Sequence, residues 1–291
     1  MGKISYVSTP KLNDYKKQFA EHLIMERKNG ILQVRMHTNG GPFKWCFQAH
    51  QALEEAWSVI GHDRENELLI LTSTDPYWVG KFDCEAFGET EANYTPDTHY
   101  DALYRGCTKL VENFIFDIDI PTIAAINGPG LHWEFALLSN VTLCTPDFVL
   151  RDDHFKGGVV PGDGMSLCLQ GLLGIKRAAS MMYTLKSIDA KTCLDWGVVN
   201  EVIPRDKLLG RAWDIAEEIM KQPRVVRRLT SQLLRRPWKR LLVDDFQVHV
   251  GHEMYGYALL DTRHPNIFPA IEETFRAEAE AGQDSQDQES P

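Results

Sequence analysis

Closely paired cysteines are missing from this chain of 291 residues. Its six cysteines, Cys46, Cys84, Cys107, Cys144, Cys168 and Cys193, stand far apart, and no CxxC occurs. That excludes the close-set thiols of structural zinc sites and the dense disulfide framework of small secreted domains; reduced, mostly buried thiols are expected. Positive charge is also scarce, with 31 Lys and Arg against 41 Asp and Glu and a net charge of −10. Such a balance argues against a nucleic-acid or anionic-membrane partner. Long hydrophobic runs are absent too. The apolar stretches 121–133 and 135–146 are parted by Glu134, and neither reaches the roughly 18 uncharged residues of a membrane span. Met1-Gly2-Lys3-Ile4-Ser5 has no apolar signal core, and Tyr6 stands where a myristoylation motif needs Ser or Thr. A soluble, cytoplasmic protein is expected. No GxGxxG, P-loop, GxSxG or HExxH is present, so no cofactor, nucleophilic serine or metal centre is expected.

What is there fits an ordinary globular chain, with 43% hydrophobic residues and length enough for one large core or a core with a smaller attachment. Residues 30–36 alternate apolar and polar like a strand, and 67–72 form a continuous apolar run like a buried one. Between them, 48–61 carry Ala49, Leu53, Ala56, Trp57 and Ile60 at helical spacing. A second unit follows: a helix around 100–117, a strand at 121–126, a turn at Asn127-Gly128-Pro129-Gly130, a helix at 134–140, and strands at 141–144 and 148–151. This repetition predicts an α/β class. From residue 165 onward the pattern is helical, at 165–173, 177–185, 190–196, 207–221, 224–235 and 238–260. The expected organisation is a polar, ill-ordered arm at 1–20, a core at 21–205, a helical region at 206–265 and an acidic, disordered tail at 266–291.

Two glycine-rich stretches carry candidate chemistry. In Asp152-Asp153-His154-Phe155-Lys156-Gly157-Gly158-Val159-Val160-Pro161-Gly162-Asp163-Gly164, an imidazole and a carboxylate flank a tight turn that opens a helix. A carboxylate-held imidazole is what a general base for water needs, although a surface His154 and an Asp163 helix cap explain the same spacing. In Asn127-Gly128-Pro129-Gly130-Leu131-His132-Trp133-Glu134, a strand ends in a turn that starts a helix. Its free N–H groups and His132 suit a developing oxyanion, and a plain strand–helix connection fits as well. His22, His37, His62, His99 and His264 stand in polar settings where solvated side chains are expected. His249 and His252 flank Val250-Gly251 with no third metal ligand.

Ala124-Ala125-Ile126-Asn127-Gly128-Pro129, the acid Glu134 on the next helix, and Val160-Pro161-Gly162-Asp163-Gly164 together resemble the crotonase (enoyl-CoA hydratase/isomerase) superfamily. Ile188-Asp189-Ala190 and Asp195-Trp196-Gly197-Val198-Val199-Asn200-Glu201-Val202 resemble its A-x-x-A-x-x-x-G-L-V-x-x-V segment. The resemblance implies a crotonase-like spiral of ββα units with a helical C-terminal trimerisation region, assembled as a homotrimer or a dimer of trimers. Hydratases of that superfamily carry three glycines after the N-G turn; here Gly130-Leu131-His132-Trp133 replaces them. Hydratases also place catalytic glutamates where this chain has Glu134 and His154, and a small residue where it has Asp163.

These exchanges resemble the branch containing 6-oxocamphor hydrolase and related β-diketone hydrolases, which cleave carbon–carbon bonds without CoA. That branch's functional set matches His50, His132, His154, Asp163 and Glu253, with Trp45 five residues before His50. The resemblance implies a cofactor-independent retro-Claisen hydrolysis of a 1,3-diketone to a keto acid. Asp163 would orient His154, His154 would deprotonate water, and His132 would bind an oxygen. Trp45 and Leu131 would line the pocket, and Glu134 would be structural. His50 and Glu253 would hydrogen-bond to one another or shape the site. The alternative is a CoA-thioester hydratase or isomerase with Glu134 as its acid and base. The expected partners are a small diketone and water.

Overall fold

The structure, a computed structural model, describes residues 7–83, 86 and 95–259. Its centre is a six-stranded sheet. β1 (Leu23–Lys28) and β2 (Ile31–Met36) form an antiparallel hairpin through Asn29 and Gly30, with φ of 53° and 85°. Asn-Gly suits a two-residue turn of this hand. Beyond β2 the sheet continues in parallel through β4 (Leu68–Ser73), β6 (Thr122–Ile126), β7 (Val141–Cys144) and β10 (Glu201–Val202). β4 and β6 are buried throughout, as parallel strands covered on both faces must be.

The two-residue period of the strands divides the core. Leu69, Leu71, Ala124 and Ile126 face α2 (Phe47–His62) and α3 (Gly106–Phe116), where the fully buried Trp57 meets the Phe114 ring edge-on at 5.3 Å. Ile31, Leu68, Ile70, Ile123, Ala125 and Leu143 point the other way, under Leu208, Ala212 and Ala216 of α7 (Arg205–Met220). Short strand pairs make a second layer: β3 (Lys44–Trp45) runs parallel to β5 (Lys81–Phe82), and β8 (Val149–Leu150) antiparallel to β9 (Ile188–Asp189). The chain is thus a mixed α/β fold. Cys46, Cys144, Cys168 and Cys193 are buried free thiols, Cys107 is half-buried, and Cys84 lies outside the described residues.

Several expectations need correction. Leu12–Gln18 forms a helix, α1, where an ill-ordered arm was expected; Tyr15 and Phe19 anchor it in the core, and the Tyr15 hydroxyl donates to Asp63 at 2.9 Å. His22 and His37 are buried rather than solvated. The His37 ring is held by the Ala20 carbonyl and the Gly40 N–H, each at 3.0 Å. The helices expected at 165–173 and 177–185 are α5 (Met165–Thr184), broken at Gly174 with φ 76°. The acidic tail and His264 lie outside the described residues. Among the described residues no helix is long and apolar enough to cross a membrane.

After α6 (Ala190–Asp195) and α7, the chain ends its described course in α8 (Arg224–Leu241), a π-helical turn (Leu242–Phe246) and α9 (Gln247–Leu259). α8 is amphipathic in an inverted sense. Its buried face is Arg227, Arg228, Ser231 and Arg235, while Val225, Val226, Leu229, Leu233 and Leu234 are exposed. Arg235 is fully buried, donating to the Phe114 carbonyl at 2.8 Å and the Thr122 hydroxyl at 2.9 Å, so it bolts α8 onto α3 and β6.

Candidate active site

The candidate residues converge beyond the carboxyl ends of the parallel strands, where ligands of open α/β sheets usually sit. Trp45 ends β3. Cys46 then caps α2, its Sγ accepting the Ala49 N–H at 3.4 Å, and His50 follows in the first turn. A residue just before a helix cap packs on the fourth helical position, which explains the five-residue spacing. Accordingly the Trp45 and His50 rings meet edge-on at 5.4 Å.

After β6 the chain turns at Asn127-Gly128. Arg205 donates to the Asn127 carbonyl, and to the Pro76 carbonyl at 2.9 Å. A Cβ at Gly128 would lie 1.9 Å from the Pro76 oxygen, so only glycine fits this approach. The loop delivers His132 with φ 54°, a left-handed backbone uncommon outside glycine, just before the short helix α4 (Glu134–Leu137). The His132 ring stacks on Trp45 with centroids 3.8 Å apart and planes 19° apart. Its Nδ1 stands 3.7 Å from the Glu134 carboxyl and 3.8 Å from Asp163. One donor atom from each of His132, Glu134 and Asp163 lies within 4.8 Å of the others, close enough for one small polar group to touch all three. Leu131, the residue before His132, is buried in the main hydrophobic core.

The loop after β8 brings the other imidazole. His154 Nε2 lies 3.3 Å from Asp163 Oδ2, so the structure brings together the two groups that flank the 154–163 turn. His154 Nδ1 faces Asp152, at 3.2 Å from Oδ1 and 3.3 Å from Oδ2. Glu253, on α9, is buried behind Asp163, and one of its carboxyl oxygens has no hydrogen-bond partner. His50 and Glu253 do not hydrogen-bond to one another: His50 packs on Trp45, and Glu253 against the 162–163 turn.

Burial and charge divide these groups into distinct protonation states. Burial opposes a charge on His154, but Asp163 and Asp152 outweigh it and hold the imidazole well above the usual histidine range. Burial alone would raise the Asp163 carboxyl, yet the His154 cation keeps it well below the usual carboxylate range. Burial, and then His132, push His50 down to about 3, so it is neutral. Burial and the Asp163 charge push Glu253 up to about 8 and raise Glu134 as well. Neither Glu134 oxygen has a hydrogen-bond partner. The result is a buried cluster holding an imidazolium–carboxylate pair beside two carboxyls, Glu134 and Glu253, that burial and the Asp163 charge make more reluctant to ionise.

Asp152 was missed in the sequence, although a side chain two residues before His154 has the spacing of an Asx turn. Cys107 on α3 and Tyr257 on α9 were also missed; both interact electrostatically with Glu253, Asp163 and His154. Nothing local in the sequence marks either one.

The sequence profile of the enoyl-CoA hydratase/isomerase family matches residues 26–256. Carnitinyl-CoA dehydratase of Salmonella enteritidis PT4 is 30% identical over 207 residues, covering 69% of this chain and 75% of that protein. Among solved structures, a β-diketone hydrolase from the cyanobacterium Anabaena sp. PCC 7120, bound to (S)-3-oxocyclohexyl acetic acid, is 32% identical. It superposes with a TM-score of 0.79 over 89% of this chain and 100% of that one. An enoyl-CoA hydratase/isomerase from Mycobacterium paratuberculosis, 19% identical, superposes with a TM-score of 0.76 over 86% and 98%, a likeness of fold.

Proposed function

Since the chain belongs to the enoyl-CoA hydratase/isomerase family, the crotonase superfamily, we propose from its site that it is a hydrolase opening a 1,3-diketone to a keto acid by retro-Claisen cleavage, without CoA. The observation that carries this reading is the His154–Asp163 pair at 3.3 Å, with His132 Nδ1 3.8 Å from the same Asp163 oxygen. The hydratases this chain resembles carry a glutamate at the His154 position and a small residue at Asp163, so the pair marks a changed base. A hydrolase needs one to draw a proton from water.

In the proposed reaction water attacks one carbonyl carbon and its proton passes to Nε2 of neutral His154. The tetrahedral intermediate collapses, and the electron pair of the broken carbon–carbon bond becomes the enolate of the second ketone. His154 then returns the proton to the central carbon. The second carbonyl makes this feasible by delocalising the charge; a simple ketone would expel an unstabilised carbanion. His132 donates to the developing oxygen anion, while Trp45, Leu131 and Glu134 shape the pocket. The ligand in the Anabaena enzyme's structure, a ketone bearing a carboxylic acid, is the class of product this chemistry gives, and it supports the reading.

The test is incubation with the bicyclic 1,3-diketone whose ring opening gives 3-oxocyclohexyl acetic acid, beside crotonyl-CoA. Keto acid released from the diketone is the expected result. Hydration of crotonyl-CoA with no diketone opening would instead support the CoA reading, which the buried, unpartnered Glu134 and the dehydratase relative favour.

The proposal extends to assembly as a homotrimer or a dimer of trimers. The exposed Val225, Val226, Leu229, Leu233 and Leu234 of α8 form an apolar row that water does not favour and a neighbouring copy would cover. Sedimentation at micromolar concentration should give at least three times the monomer mass. Replacing Leu229 and Leu233 together by Glu should lower that mass, and a monomeric wild-type protein would refute the assembly.

A further inference from the structure

Two consecutive aspartates precede His154, and they point to different partners. Asp153 accepts from the Arg151 guanidinium at 2.8 Å. Asp152, its side chain only 2% exposed, turns instead to the residue two positions on. Its Oδ1 accepts the backbone N–H of His154 at 3.0 Å and stands 3.2 Å from the ring Nδ1, with Oδ2 at 3.3 Å from the same nitrogen. One buried carboxylate therefore grips both the main chain and the ring of a single histidine. Asp163 lies across the ring, 3.3 Å from Nε2.

We infer that Asp152, and not Asp163, is the positioning carboxylate of the site: it fixes the His154 proton on Nδ1 and so leaves Nε2 as the nitrogen that exchanges protons beside Asp163. The inference rests on the reading of His154 as the base. The proton on one imidazole nitrogen is set by the hydrogen bond that nitrogen makes, and the other nitrogen inherits the chemistry. Two oxygens of Asp152 compete for Nδ1, and the carboxylate cannot swing away without losing the main-chain N–H. Asp163 makes a single approach and is the more exposed of the two, at 11%. Its own Oδ1 is buried without a hydrogen-bond partner, so Asp163 is less firmly held than Asp152. The other titratable groups facing His154 are Glu253 and Tyr257 on α9 and Cys107 on α3.

The test is nitrogen-15 NMR of the imidazole, with the His154 signal assigned by its loss in His154→Gln. In the wild-type protein at high pH the neutral ring should carry its proton on Nδ1. In Asp152→Asn, whose amide oxygen still accepts from the ring and main chain but bears no charge, the titration should move down by roughly one pH unit or more. The acidic limb of kcat/KM on the bicyclic diketone should move with it, and Asp152→Glu should restore the limb towards the wild-type position. A purely structural aspartate would lower kcat without moving either curve. A neutral ring protonated on Nε2, or identical titrations in wild type and Asp152→Asn, would overturn the inference. The wild-type tautomer decides the matter even if the variant does not fold. Because the NMR reading needs no substrate, a wild-type protein inert towards diketones would count against the assigned reaction and leave the tautomer result standing.

Discussion

His154→Ala should lower kcat on the bicyclic diketone by ~10²–10⁴, the worth of a positioned general base. The loss should fall on kcat more than on KM, because an imidazole that moves a proton stabilises the transition state and not the resting complex. Asp163→Asn should lose a comparable factor, as it removes the charge facing the reactive nitrogen at 3.3 Å. His132→Ala removes the oxygen donor, worth ~10²–10³, but leaves water activation in place. The two histidines then separate by pH. In wild type, kcat/KM should rise with pH through a value above the ordinary histidine pKa, since Asp163 and Asp152 hold His154 protonated and only the neutral ring accepts a proton. His132→Ala should keep that limb, and His154→Ala should lose it. Stopped-flow or spectrophotometric rates across the pH range would measure both. Near-normal turnover by His154→Ala would sink the base assignment.

Gly162→Ala should damage both stability and rate, although the residue has no chemistry of its own. A Cβ there would lie 2.3 Å from the His249 carbonyl oxygen and 2.7 Å from the Glu253 Cβ, both on α9. Neither contact involves the free end of a flexible side chain, so the turn or the helix has to move. Overpacking of this kind costs ~1–3 kcal/mol. The next residue is Asp163, and a displacement of about 1 Å at a reacting pair can cost ~10²-fold. Gly251→Ala is the matched control: it lies on the same helix, and its Cβ would meet nothing within 4 Å. Thermal unfolding and kcat measured on both variants would check this. A Gly162→Ala protein as stable and as fast as wild type would mean that α9 does not set the position of Asp163.

Much of this architecture was legible because its signals are local. The continuous run at 67–72 reads like a buried strand, short and rich in branched apolar residues, and β4 occupies Leu68–Ser73. Trp45 and His50 declare their contact through the spacing of a helix start. β1 was overlooked because its charged residues blur the alternation, although Asn29-Gly30 marks the hairpin. His22 and His37 were misjudged because polar neighbours in sequence say nothing about which elements later cover a side chain. The meeting of His154 with Asp163 followed from one turn and a resemblance. The full company around them did not, since Cys107 and Tyr257 arrive from α3 and α9, far away in the chain. Asp152 was within reach of the sequence through its spacing to His154, but nothing local distinguishes it from the adjacent Asp153.

The protonation pattern of the buried cluster bears on the proposed turnover. Under the proposed reaction the incoming diketone is uncharged and meets buried groups, among them Glu253, whose carboxyl burial pushes up to about 8. Ring opening, if it takes place as proposed, makes a carboxylic acid whose anion would share this buried space with the ionised Asp163. Like charges would then share one low-dielectric space, and the proposed chemical step would itself supply the repulsion that clears the enzyme for the next cycle.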